Sequence, residues 1–232
     1  MATVAFTPGD PPDPPPASDR AAAARALAER SAAAAAEGRL DDARDGFARA
    51  LVDGGADVRV LFLCFQFHLR SGEYPAAVEF ARRRLAAADP DVDSPHSARA
   101  YTNLGLALHF LGDATAAEAA MTRALEINRR IGNDYGIARD LGNLSLLPEA
   151  RGDFDVAVAL LHEGLAIAER IGAEDVAVTK LTNLGEIALA RGEVDAARSF
   201  WTRAVAIFER IGPRKHYEEF SRRLAELDSA PG

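Results

Sequence analysis

The chain of 232 residues is long enough for one compact domain or a short solenoid. Its net charge of −8 at pH 7 argues against a protein dedicated to wrapping nucleic acid. The single cysteine, Cys64, excludes an internal disulfide, and no apolar run approaches the roughly 20 residues of a membrane-spanning helix.

Residues 1–17 hold the run Pro11-Pro12-Asp13-Pro14-Pro15-Pro16, which fixes φ and removes backbone donors. This composition predicts a disordered leader, with a proline-motif ligand as the alternative. The leader lacks the basic and apolar regions of a signal peptide, so a cytoplasmic location is expected. Order is expected from Ser18-Asp19, an N-cap ahead of an alanine-rich helix. A helical repeat domain is then expected over residues 18–228.

From there apolar residues recur at helical spacing, interrupted at Gly38, Gly72, Gly112, Gly152 and Gly192, in steps of 34, 40, 40 and 40. Each glycine falls where one helix must stop and the chain turn back. Other markers keep the step of 40. Asn103-Leu104-Gly105 returns as Asn143-Leu144-Ser145 and Asn183-Leu184-Gly185. Arg130-Ile131-Gly132 returns as Arg170-Ile171-Gly172 and Arg210-Ile211-Gly212. A fixed step of this size means stacked supersecondary units, none able to bury its apolar face alone. The expected repeats cover about 20–52, 57–88, 95–131, 135–171 and 174–211, with a closing helix at about 214–227. Pro148, inside the first helix of the fourth repeat, predicts a kink or an early end there.

These residues resemble the tetratricopeptide repeat, which places large, Leu, Gly and apolar residues on its first helix and small–large–small residues on its second. The third repeat matches with Tyr101, Leu104, Gly105, Leu108, Ala117, Met121 and Ala124. The fifth matches with Leu181, Leu184, Gly185, Ala188, Ala197, Trp201 and Ala204. The second repeat departs most, with Phe65 at the small position and Arg84 where alanine is usual. The step of 40 is similar to the copies in kinesin light chains and in bacterial regulators with repeat arrays. The resemblance implies an all-α right-handed superhelix of five helix pairs plus a capping helix.

In such a fold the first helices line a concave groove. Residues set at 100° steps place Arg25, Arg59, Arg99 and Arg139 in one row on that side, with Thr179 last and Thr102 on the same side, and Asn103, Asn143 and Asn183 in another, preceded by Leu63 and Glu29. Arg99/Asn103 and Arg139/Asn143 are four apart, hence neighbours on a helix. Asparagine can read an extended peptide backbone, and arginine prefers carboxylates. Phe62, Gln66, His109, Phe110, Glu149 and Glu186 add shape and polarity around the rows. The expected ligand is a protein or peptide segment, acidic or carrying a free C-terminus. The alternative is that the arginines pair with acids of neighbouring helices and the asparagines bond across repeats.

Chemistry finds little support. Cys64 and His68 are four apart, but two ligands do not hold a metal, and the other histidines lack zinc-type spacing. No phosphate loop and no acid–base pair is evident. We expect no cofactor, no catalysis, and neither nucleic acid nor membrane as partner. The expected role is an adaptor or regulatory scaffold. A self-associating structural protein and a sensor of a short signalling peptide are the alternatives.

Overall fold

The computed structural model describes residues 17–89, 91–212 and 214–229. The proline-rich leader expected at the N-terminus lies outside them, apart from Ala17. Eleven helices are described: α1 (Ala17–Ala36), α2 (Leu40–Gly54), α3 (Val58–Arg70), α4 (Tyr74–Ala87), α5 (Pro95–Leu111), α6 (Ala114–Arg130), α7 (Asp134–Ala150), α8 (Phe154–Ile171), α9 (Glu174–Ala190), α10 (Val194–Ile211) and α11 (Arg214–Ser229). Among the described residues there is no strand, and no helix is long and apolar enough to cross a membrane. The chain divides into two compact units, one ending at Phe67 and one beginning at His68.

In the first unit, α1 and α2 form a hairpin closed by Gly38 at φ 83°. Alanine on α1 lets the helices approach closely: Ala24 and Ala28 are buried, and a Cβ on Gly54 would stand 2.7 Å from the Ala24 methyl. Phe47 of α2 meets Phe67 of α3 with ring centroids 5.2 Å apart. Cys64 is fully buried, a small apolar filler rather than an exposed thiol.

In the second unit, α5/α6, α7/α8 and α9/α10 are hairpins, and the first helices also touch along α5–α7–α9. On α5 and α9 a glycine admits the large residue of the partner helix. A Cβ on Gly105 would lie 2.5 Å from Met121 Cγ, and one on Gly185 would lie 2.2 Å from Trp201 Nε1. Helix starts are capped where a short polar side chain is available. Asp113 accepts from the Ala116 N–H at 3.1 Å, and Asn133 from the Gly136 N–H at 3.2 Å. Helix α11 closes the end of this unit: Phe220 stacks on Phe208 at 5.7 Å and meets Trp201 edge-on at 5.9 Å.

Two local features differ from a strict repeat: α7 does not end early at Pro148, and the Arg-Ile-Gly closes diverge. Pro148 is buried, yet α7 runs on to Ala150 and matches the 17 residues of α5 and α9. Near the helix end only one turn of chain depends on the missing donor. The three Arg-Ile-Gly closes are also not equivalent. Gly132 and Gly172 take positive φ, but Gly212 is extended at φ −86°, ψ 163°. Pro213 follows it, and a residue before proline is pushed toward extended backbone.

Candidate functional site

The expected site residues divide between the two units. In the first, the α1 and α3 arginines pair internally. Arg25 Nε lies 2.6 Å from Asp57 Oδ2, and Arg59 Nε lies 3.3 Å from Glu29 Oε1. Burial opposes the Asp57 charge, but donors from Arg25 and the Val60 and Arg59 backbone outweigh it and hold the carboxyl below its usual range. The Phe62 ring is half-buried, 6.4 Å from the Phe65 ring, and Gln66 is exposed.

In the second unit the first-helix rows lie on α5, α7 and α9. Asn103, Asn143 and Asn183 are all half-buried. Their carboxamides make no hydrogen bond among the described residues, and the Asn103 Nδ2 is buried without an acceptor. This removes the inter-repeat ladder as an account of the asparagines, since no such bond links them. Unsatisfied amides cost free energy unless water or a ligand completes them.

Arg139 behaves differently. Its Nε and Nη2 donate to Asp140 Oδ1 at 3.1 and 2.8 Å, and Nη2 also reaches Thr102 Oγ1 at 3.2 Å. Arg99 is exposed on the preceding repeat and close enough to repel Arg84. The Arg84 guanidinium is pushed down to about 10 by burial, and then by Arg99 and Arg139. Arginines of three helices thus raise the local positive potential. Tyr135, one turn before Arg139 on α7, donates its hydroxyl to Asp175 Oδ2 at 2.6 Å, which raises the phenol above its usual range.

The C-terminal ends of the first helices carry apolar and weakly charged groups. His109 is half-buried, and burial pushes its imidazole below the ordinary range. Its ring meets the half-exposed Phe110 ring at 5.2 Å, and Phe110 stacks on Tyr74 at 5.6 Å. Glu149 is raised by burial and by the charge of Glu186. Glu186 is itself bonded by Arg223 of α11, a partner no spacing rule on α9 could indicate.

A buried polar cluster lies beneath Arg139. Asp140 is 1% exposed, and its Oδ2 accepts from Asn128 Nδ2 at 2.6 Å. Its Oδ1 lies 2.9 Å from the Thr102 hydroxyl and takes both bonds from Arg139. Thr102, expected on the groove side, is therefore buried at the α5–α7 contact. Lys180 of α9 occupies the position 40 residues after Asp140 and is 3% exposed. Its stem fills space left by two glycines: a Cβ on Gly142 would stand 2.1 Å from Lys180 Nζ, and one on Gly164 3.2 Å from Cε. The signal was in the sequence, because Gly142 and Gly164 replace Thr and Ala of the neighbouring repeats, and one of only two lysines falls on the buried face.

Among the described residues no group of three or more His, Cys, Asp or Glu side chains is placed to hold a metal ion. Residues 93–170 match the tetratricopeptide repeat family model. No curated protein matches the sequence. Among solved structures, a thermophilic tetratricopeptide repeat protein of Thermus thermophilus superposes with a TM-score of 0.67 at 21% identity, covering 88% of this chain and 98% of that one. The nearly identical repeats of a putative kinesin light chain from Podospora anserina give 0.64 at 16% identity, with 84% and 97% covered. A Rap protein complexed with competence and sporulation factor gives 0.68 at 17% identity, covering 79% of this chain and 53% of that one. The chain thus spans about half the length of that Rap chain. These identities establish the fold alone.

Proposed function

We propose that this tetratricopeptide repeat protein is a non-enzymatic adaptor that holds an extended protein segment on its first-helix face, in the cytoplasm. The observation that carries the reading is the row Asn103, Asn143 and Asn183: three half-buried carboxamides in one register with no hydrogen bond among the described residues. Each offers a donor and an acceptor at the repeat spacing, which suits an extended peptide backbone. In the same unit, Arg99 and Arg139 incline the ligand toward an acidic segment or a free C-terminal carboxylate. His109 and Phe110 then supply side-chain contacts, with Phe110 as an apolar anchor. Arg59, Phe62 and Gln66 of the first unit are candidate contacts of the same kinds. Glu186, held by Arg223, makes the C-terminal end of the face less positive. The Rap neighbour, seen in complex with a factor, supports a fold of this kind holding a ligand.

The test compares wild type with the triple variant Asn103→Ala, Asn143→Ala and Asn183→Ala in affinity capture. These substitutions remove no internal hydrogen bond, so equal thermal melts are expected. A binding partner retained by wild type and lost by the variant supports the reading. Equal retention by both places binding elsewhere. If neither retains a protein while the mass in solution rises with concentration, self-association replaces it.

A further inference from the structure

The joint between α10 and α11 departs from the pattern of the repeats before it. In two of those repeats charge ties the end of the second helix to the start of the first. Arg170 near the end of α8 bonds Asp134, which opens α7, at 3.0 Å, and Arg210 near the end of α10 bonds Glu174, which opens α9. The step of 40 places Arg214 of α11 at the position of Asp134 and Glu174, so the sign of the charge is reversed there. Arg214 is exposed and bonds Glu218 of its own helix at 2.8 Å. Glu209 holds the position of Glu169, which Arg203 bonds, yet Glu209 itself has no hydrogen bond or ion pair among the described residues. Both charges border a cleft of about 340 Å³ whose other walls are Phe208, Gly212 and Tyr217. The Gly212 backbone presses so closely on Phe208 that a Cβ there would stand 2.6 Å from the ring's Cδ1. Next to this cleft in the chain, Ile211 is 47% exposed.

We infer that this joint is a contact between two copies of the chain, related by a twofold axis beside Gly212. In such a pairing every contact occurs twice, with the same residues exchanged. Ile211 of each copy enters the cleft of the other, against Phe208 and Tyr217, and Glu209 of each copy meets Arg214 of the other. The surface suits that exchange. An apolar projection adjoins an apolar cleft, and an acid and a base flank them in the chain, Glu209 before Ile211 and Arg214 after it. A closed pair fills both clefts and matches both charges, whereas a head-to-tail contact leaves one of each open. The cleft wall is held from α11, with His216 stacked on Phe208 at 5.5 Å and Phe220 at 5.7 Å. A contact this small is of the weak, reversible kind. It uses none of the residues proposed above to hold a ligand.

Sedimentation velocity of the full chain over about a hundredfold range of concentration tests the pairing. Wild type is expected to pass from monomer toward dimer as concentration rises, and no further. Glu209→Arg and Arg214→Glu, both at exposed positions, each set like charges against one another at both contacts. Each should weaken association at least about tenfold. Mixing the two single variants in equal amounts restores opposite charges at both contacts, as does combining both substitutions in one chain, and either should return the dimer. Mixing leaves each chain's own fold unchanged, so recovery there reports the contact itself. A monomer at every concentration, an assembly beyond two copies, a dimer indifferent to the single substitutions, or single variants that fail to recover on mixing overturns the inference. The triple variant Asn103→Ala, Asn143→Ala and Asn183→Ala is expected to pair as wild type does, so the pairing and the ligand-binding role stand or fall separately.

Discussion

Replacing Lys180 by Met tests the energetics of the buried cluster most directly. Met has similar length, no charge and enough flexibility to fill the slot between Gly142 and Gly164. The folded ammonium is lowered to about 8 from its ordinary value of 10.5, first by desolvation and then by Arg139. At 1.36 kcal/mol per pH unit, the charge then costs the folded state about 3 kcal/mol at neutral pH. Removing it should therefore stabilise the protein, by up to that amount less any packing loss. The pH dependence carries the sign. A base whose folded pKa is depressed binds its proton more readily in the unfolded chain between the two values. Wild-type stability should thus recover, relative to Lys180→Met, as pH rises from about 8 to 10.5. Urea denaturation of both proteins at several pH values measures the difference, which is largest below pH 8 and declines above it. A variant destabilised at pH 7, or a difference independent of pH, would show that Lys180 is a needed partner of Asp140 and refute the reasoning.

The contrast is Asp140→Ala, which strands Arg139 and Asn128 and leaves Lys180 without a nearby buried acid. A loss of about 3–5 kcal/mol is expected in the same denaturation assay, since one partner of a buried charged set is removed. Trp201→Ala empties the joint where α10 meets α11, deleting the contacts with Phe220 and Arg223. It should cost about 3–5 kcal/mol and leave α11 poorly protected in amide hydrogen exchange. Glu149 carries a folded pKa raised by burial and by Glu186, so its ionised form is penalised in the native state. Glu149→Gln should stabilise the protein at pH 7, and the gain should vanish as pH falls through 4.5, where unfolded and folded carboxyls are both protonated.

The step of 40 residues, the turn glycines and the small–large complementarity of Gly105 with Met121 and Gly185 with Trp201 were all legible in the chain. They are one-dimensional: each depends on helix period, propensity or a partner at a fixed offset, and repeats make those offsets constant. The all-helical repeat fold followed from them. Tertiary packing decided what the polar side chains do. Arg59 and Arg139 occupy the expected register, but Glu29 lies 30 residues from the first and Thr102 37 residues from the second. Whether a flexible arginine reaches outward or folds onto such a neighbour depends on packing across helices, which periodicity cannot supply. Among the described residues the asparagine carboxamides have no partner for the complementary reason: their short side chains find no bond across the first-helix contacts. Lys180 shows the limit most sharply, because the glycines that make room to bury it, Gly142 and Gly164, lie on other helices and well apart from it in the chain. Sequence alone determined where helices start, stop and stack; burial and the dielectric around each charge arose only when those helices met.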